Sequence, residues 1–203
     1  MEKFKELSEE KQRPIIEAAL KCFGKHGYKK ASMSDIAQTS GVSKPMLFHY
    51  FGTKRDLYLY LSDYVRNVMI DAYNRNKINA YDDLFERIIM ASKMKMGILE
   101  KYPHILKFII SMFEETDAAV IDITKKIMPE AQKFSYDLVV KKEDKIKFRD
   151  GVDIDVIMRL MFLMAEGYAH EMSDEPCQLD KITEELERIM NMLKSNLYKE
   201  EYL

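Results

Sequence analysis

Ser32-Met33-Ser34-Asp35-Ile36-Ala37-Gln38-Thr39-Ser40-Gly41-Val42-Ser43-Lys44-Pro45-Met46-Leu47-Phe48-His49-Tyr50-Phe51 reads as two short helices around a tight turn. Ser32 is a good N-cap, and Asp35 three places on resembles a capping box with the shorter acid. Ile36 and Ala37 are expected to face inward. Gly41 sits where the chain must reverse, a place that favours positive φ. Ser43 then caps the second helix, and Pro45 falls in its first turn, where a missing N–H costs little. Leu47, Tyr50 and Phe51 recur at helical spacing and pin that helix down.

That leaves Lys44, Pro45, Met46 and His49 on the outward face. A cation at a helix N-terminus opposes the helix dipole. Lys44 does so, and so does Lys54, just after Thr53 caps the next helix. A polyanion at this surface would account for both, because phosphates accept N-terminal amides and lysines together. The plainer reading is two exposed lysines, each costing a few tenths of a kcal/mol. With the turn added, the pattern favours a helix-turn-helix inserted in a DNA major groove.

At these residues the chain resembles the tetracycline-repressor (TetR) family of bacterial transcription regulators. The resemblance rests on Ala18-Ala19-Leu20 with Phe23 and Gly27-Tyr28, and on Ser32 to Ala37. It continues through Gly41-Val42-Ser43-Lys44 and Leu47-Phe48-His49-Tyr50-Phe51, with Lys54 and Leu57. It covers about the first quarter of the chain, and spacing and residue type agree over several segments. The family usually has Gly where this chain has Pro45 and often Tyr where it has Phe48. Pro45 removes one amide that could reach phosphate and offers its ring to a base edge instead. On this reading Lys44, Pro45, Met46 and His49 face bases. Ser32, Ser43, Tyr50 and Lys54 hold phosphates, and Ser34 belongs to the same DNA-binding set.

The 203 residues suit one or two domains with a real core. Apolar residues make up 47 %, charged residues 33 %, and there are only 7 Gly and 5 Pro, as in a helical protein rather than a disordered or β-rich one. The longest apolar run, Leu160 to Ala165, is far short of a membrane span, so no membrane partner is expected. Glu2, Lys3, Lys5 and Glu6 do not suit a signal peptide. Cys22 and Cys177 are too few for a disulfide framework, and a cytoplasmic location is expected. Residues 1–56 carry 11 Lys+Arg against 7 Asp+Glu, and the remainder 21 against 27. A basic N-terminal module on an acidic body fits a nucleic-acid head and a body with another task.

Ser8 with Glu9 and Glu10 looks like a helix start, with Pro14 either kinking that helix or opening it. Ile16, Ala19, Leu20 and Phe23 form its stripe and Gly27 stops it; Cys22 reads as a small core filler. A long helix from Lys54 to about Asn76 spans roughly 33 Å. It is either a lever carrying a signal between head and body or a plain connector. Arg75 to Asn79 marks a linker. The fold class is therefore all-α: a three-helix head over residues 9–69, and a helical ligand and dimerisation bundle over 70–203. In the body, a helix through Leu84, Ile88 and Met96 ends by Pro103, and Leu106 to Phe113 gives another. A third is expected to continue through Pro129 as a kinked helix rather than to break there. Lys141 to Gly151 reads as a mobile charged loop. Asp153 caps a helix from Ile154 to Met172 that is apolar on two faces, and the last helix starts near Asp180. Pairing these last two helices with their copies would give a four-helix bundle and a homodimer, the arrangement the resemblance also implies.

Fifteen Met is high for this length. Each suits core filling, but together they suit an adaptable pocket for an apolar ligand. The resemblance implies such an effector site, assigned here to Met94, Phe108, Met112, Met161, Met164, Glu166, Tyr168 and His170. Glu166 and His170 lie four apart on one helical face, suited to the polar end of a ligand or to a surface salt-bridge face. They are weak metal ligands, since di-iron bundles use Glu-x-x-His at three, paired across helices. His104 is expected to be exposed, and Glu114-Glu115 reads as a helix-end charge cluster. No nucleophile elbow, phosphate loop, dinucleotide fingerprint or HExxH occurs, so neither enzyme nor cofactor is expected. The sequence thus points to a regulator, most often a repressor in the family it resembles. It would read a palindromic operator in double-stranded DNA as a homodimer and respond to a small apolar effector. The alternative is an all-helical carrier of apolar molecules without operator binding.

Overall fold

A computed structural model describes residues 2–174 and 179–203. Cys177 lies outside the described residues. The described chain is helical and contains no strand. The helices are α1 (Glu2–Lys5), α2 (Glu9–Lys30), α3 (Met33–Ser40), α4 (Lys44–Phe51) and α5 (Lys54–Asn76). After them come α6 (Leu84–Lys101), α7 (Ile105–Phe113), α8 (Ile121–Val139), α9 (Ile154–Asp174) and α10 (Leu179–Leu197). Among the described residues, no helix is long and apolar enough to cross a membrane.

Two compact units share the chain: Met1–Ile70 with Leu99–Met128, and Asp71–Ile98 with Pro129–Leu203. The first unit holds α1 to α4 and most of α5, together with α7 and its flanks. What holds α7 there is its close fit on α2. A Cβ on Gly24 would lie 2.9 Å from the Phe108 backbone nitrogen, so only glycine admits this approach. Around that contact Phe23, Tyr58 and Phe108 pack edge to face, at centroid distances of 5.2 Å for Phe23–Tyr58 and 5.3 Å for Tyr58–Phe108.

Helix α2 runs from Glu9 through Pro14, so Pro14 does not open it. Its non-helical residue is Gly27, at φ 65° and ψ 175°. The amide of Tyr28 beyond the break donates to Glu115 Oε2 at 2.7 Å, and the other carboxylate oxygen accepts from Thr116 and Asp117. Glu115 is thus a built capping group rather than a bare charge at a helix end. Helix α1 was not foreseen. Its Phe4 is fully buried, with its ring 4.6 Å from Phe51, 5.3 Å from Tyr60 and 5.6 Å from Tyr50.

In the second unit, α6 carries a fully buried Arg87. Its guanidinium donates to the carbonyls of Val139 at 2.6 Å and Tyr81 at 2.9 Å, and pairs with the buried Asp144. Asp144 also accepts from the Lys141 amide at 2.7 Å. Phe148 is buried against Phe85 and Tyr198, and bridges Tyr198 in an antiparallel backbone pair. The segment Lys141 to Gly151, expected to be a mobile loop, is therefore an anchor, and its charges include one half of a buried ion pair. Helix α8 is continuous through Pro129, and Asp153 caps α9 by accepting the Asp155 amide at 2.9 Å. Chain reversal after α5 falls at Lys77, which takes φ 47° within the expected linker.

Candidate nucleic-acid interface

Helices α3 and α4 form the expected helix-turn-helix, and local chemistry sets each end. Ser32 Oγ accepts from the amides of Ser34 at 3.2 Å and Asp35 at 3.3 Å. Gly41 takes φ 74° and ψ 16° at the end of α3, a left-handed turn that admits glycine without strain. Ser43 Oγ accepts from the Met46 amide at 3.3 Å and opens α4. Leu47 and Phe51 are buried and hold α4 down; Tyr50 is half-buried beside Phe4.

Lys44, Pro45, Met46 and His49 are all exposed on α4, together with Phe48, which the sequence reading did not place there. Met46 and Phe48 keep 42 % and 39 % of their surface uncovered, giving this face an apolar content that suits base edges and thymine methyls. The backbone offers an anion little at this end. Pro45 has no N–H, Met46 donates to Ser43 Oγ and Leu47 to the Ser43 carbonyl, which leaves the Lys44 amide. An anion at the start of α4 would therefore meet side chains more than backbone amides. Ser34 and Ser43 are exposed and Ser32 is half-buried.

Lys54 is placed differently from Lys44. Its Nζ donates to the Lys29 carbonyl at 3.2 Å and lies 4.5 Å from the centre of the Tyr28 ring. Burial lowers its pKa below the ordinary lysine range. Its helix start also carries a reciprocal cap: Thr53 Oγ1 accepts from the Asp56 amide at 3.1 Å and Asp56 accepts from the Thr53 amide at 3.1 Å. Lys54 is thus engaged within the chain by a backbone carbonyl and an aromatic ring.

Lys3 is the residue that sequence reasoning missed. Its Nζ lies 3.4 Å from His49 Nε2. An ammonium only donates, so a hydrogen bond there requires Nε2 to accept, with the ring proton on Nδ1. The burial of Phe4 is what carries Lys3 to the exposed face of α4. The signal available was Phe4 itself, a lone large apolar residue among charges.

The residues assigned to an effector fall into both units. Phe108 and Met112 are buried in the first, Met112 with its sulfur 3.9 Å from Ser62 Oγ. Met94 and Met161 are buried in the second, where Met164 and Tyr168 are half-buried and Glu166 and His170 exposed. Burial, then Glu185, raises the pKa of Tyr168. Among the described residues, no group of three His, Cys, Asp or Glu could hold a metal ion.

Residues 15–61 match the family described as bacterial regulatory proteins, tetR family. Over 198 residues the chain is 25 % identical to the HTH-type transcriptional repressor AcnR of Corynebacterium diphtheriae, covering 95 % of this chain and 93 % of that one. Its fold is similar to a TetR family transcriptional regulator from Chloroflexus aurantiacus, with a TM-score of 0.73, 16 % identity and 98 % of each chain covered. It is also similar to the transcriptional regulator FadR from Bacillus subtilis, solved in complex with stearoyl-CoA. There the TM-score is 0.67 and the identity 15 %, covering 88 % of this chain and 96 % of that one.

Proposed function

We propose that the chain is a TetR-family transcriptional regulator, a repressor acting as a homodimer on a palindromic operator in the cytoplasm, a reading that the family match over residues 15–61 and the likeness to AcnR support. The observation that carries this reading is the uncovered face of α4, where Lys44, Pro45, Met46 and His49 are exposed together on a helix fixed by Ser43 and Gly41. Lys44 has the reach for phosphate, and Met46 and the Pro45 ring suit base edges. Lys3 adds a second cation beside His49.

The homodimer is supported by an unpartnered apolar stripe. Val156, Leu160 and Leu163 of α9 are 56 %, 53 % and 48 % uncovered, and Met192 of α10 is 57 % uncovered. The stripe differs from the pair of faces expected from sequence, since Ile157, Met158 and Met161 are buried within the chain. A two-fold pairing of α9 and α10 would cover it. A dimer reads two half-sites about 34–36 Å apart. A small, largely apolar effector held by the C-terminal unit would release the operator by favouring a form that no longer fits both half-sites. The FadR structure with stearoyl-CoA supports an apolar ligand class.

Electrophoretic mobility shift on fragments of the protein's own promoter, across a salt series, tests the reading. Affinity should fall steeply with salt, and Lys44→Ala should weaken binding and reduce the slope by about one. Retention that is flat across salt and indifferent to Lys44→Ala would leave a carrier of apolar molecules as the better account.

A further inference from the structure

A four-residue helix such as α1 is too short to be stable alone, so its order comes from elsewhere. Two contacts hold it. At its middle, Phe4 is fully buried among Tyr50 and Phe51 of α4 and Tyr60 of α5. Beyond it, the side-chain amide of Gln12 on α2 donates to the carbonyls of Leu7 at 2.7 Å and Lys5 at 3.3 Å. The Leu7 amide in turn donates to the Phe4 carbonyl at 3.2 Å, which closes the turn between the two anchors.

With Phe4 pointing in, Lys3 points out, and its Nζ stands 3.4 Å from Nε2 of the exposed His49. An ammonium has three donors, so two remain for a further acceptor. Among the described residues, no carboxylate forms an ion pair with Lys3. His49 lies five residues beyond Lys44, roughly 7.5 Å along the axis of α4. The first turn of a recognition helix meets base edges, and its far end rises toward the sugar-phosphate backbone. Lys3 is held beside that far end.

We infer that α1 is a DNA-binding arm, in which Phe4 positions Lys3 so that its ammonium takes a backbone phosphate at the edge of the groove that α4 enters. This rests on the reading above that α4 enters DNA. A lysine is a compact point charge with rotatable donors, which suits a phosphate oxygen and carries little base information. Because α1 is already held by Phe4 and Gln12, little entropy is lost in placing that charge when DNA arrives. The same lysine on a frayed terminus would have to be ordered first.

Fluorescence anisotropy of a labelled fragment of the protein's own promoter, titrated with the full-length protein across a salt series, tests this. Lys3→Ala should weaken binding by about threefold or more and lower the salt slope by about one per bound chain. The loss should be the same on fragments carrying single base-pair substitutions, because a phosphate contact is blind to sequence. Phe4→Ala should reproduce the loss, and adding Lys3→Ala to it should change little, since both act through one contact. Gln12→Ala carries the same comparison should Phe4→Ala fail to fold, with helical circular dichroism reporting the fold of each. A Lys3→Ala loss confined to one base pair would overturn the phosphate contact in favour of base reading, and additive losses would overturn positioning by Phe4. Lys3→Ala binding like wild type, while Lys44→Ala still weakens binding, would overturn the arm and leave the reading of α4 in place. Retention indifferent to both lysines would overturn that reading too.

Discussion

Tyr58 and Arg87 are both fully buried, and their polar ends meet opposite fates. The Tyr58 hydroxyl has no hydrogen-bond partner among the described residues, whereas the Arg87 guanidinium is answered by two carbonyls and the Asp144 carboxylate. Removing an unsatisfied hydroxyl costs nothing in hydrogen bonding, so Tyr58→Phe should leave stability unchanged or raise it by up to about 1 kcal/mol in urea denaturation. A loss would mean that the hydroxyl has a partner. Arg87→Met leaves Asp144 buried and unpaired and should cost about 3–5 kcal/mol, much of it recovered when Asp144→Leu is added. Lys95 gives a pH signature. Its charged form is penalised in the fold, so the penalty is complete below the lowered pKa. It is relieved as pH rises through that value toward the ordinary 10.5. Wild type should therefore gain stability relative to Lys95→Met as pH rises toward 10.5. A constant gap between the two would show that Lys95 does not titrate low. At this scale the sequence was legible where a residue acts on its own backbone. Ser32, Gly41 and Ser43 do what their types and spacing announce. It was not legible where the partner is distant in the chain: Asp144 lies 57 residues from Arg87, and Lys54 finds Lys29 across 25.

The helices were legible for the same reason, since period and caps are local properties. Even the continuity of α8 through Pro129 follows from apolar positions that keep phase across it. What the pattern could not say is which helix packs on which. The seating of α7 on α2 depends on Gly24, a residue that looks unremarkable within a helical stripe. Two glycines inside helices, Gly24 and Gly97, separate packing from propensity. Gly97 of α6 has open space around a notional Cβ, so Gly97→Ala should add up to about 1 kcal/mol through helix propensity. Gly24→Ala brings the same propensity gain, but its Cβ would meet the Phe108 backbone nitrogen at 2.9 Å. Backbone cannot rotate aside, so overpacking of about 1–3 kcal/mol should outweigh the gain. Thermal melts of the two variants should move in opposite directions. Equal upward shifts would show that α7 gives way at little cost. Helix α1 shows the same limit: four residues have no stable helix of their own, and Phe4 is ordered by the aromatic side chains of α4 and α5.

For the whole molecule, the open question is how many chains read the operator, and the apolar surface of α9 bears on it. Leu160 sits between Val156 and Leu163 on the uncovered stripe and contributes little to the core of its own chain. Ile157, one residue earlier than Met158 and three before Leu160, is buried in that core. A charge at the first position and a charge at the second should therefore act by different routes. Leu160→Glu places like charges across a two-fold axis, where each copy faces its own counterpart, and removes apolar area worth about 25 cal/mol per Å². Light scattering should then shift from a dimer to the 23.9 kDa chain, with the helical circular dichroism retained. Operator affinity should fall with it, because one recognition helix holds only one half-site. Ile157→Glu should instead lower the unfolding midpoint, since it buries an unpaired charge within one chain. A Leu160→Glu protein that stays dimeric and binds the operator as tightly as wild type would remove this stripe from the interface. The two subunits would then have to meet through another surface.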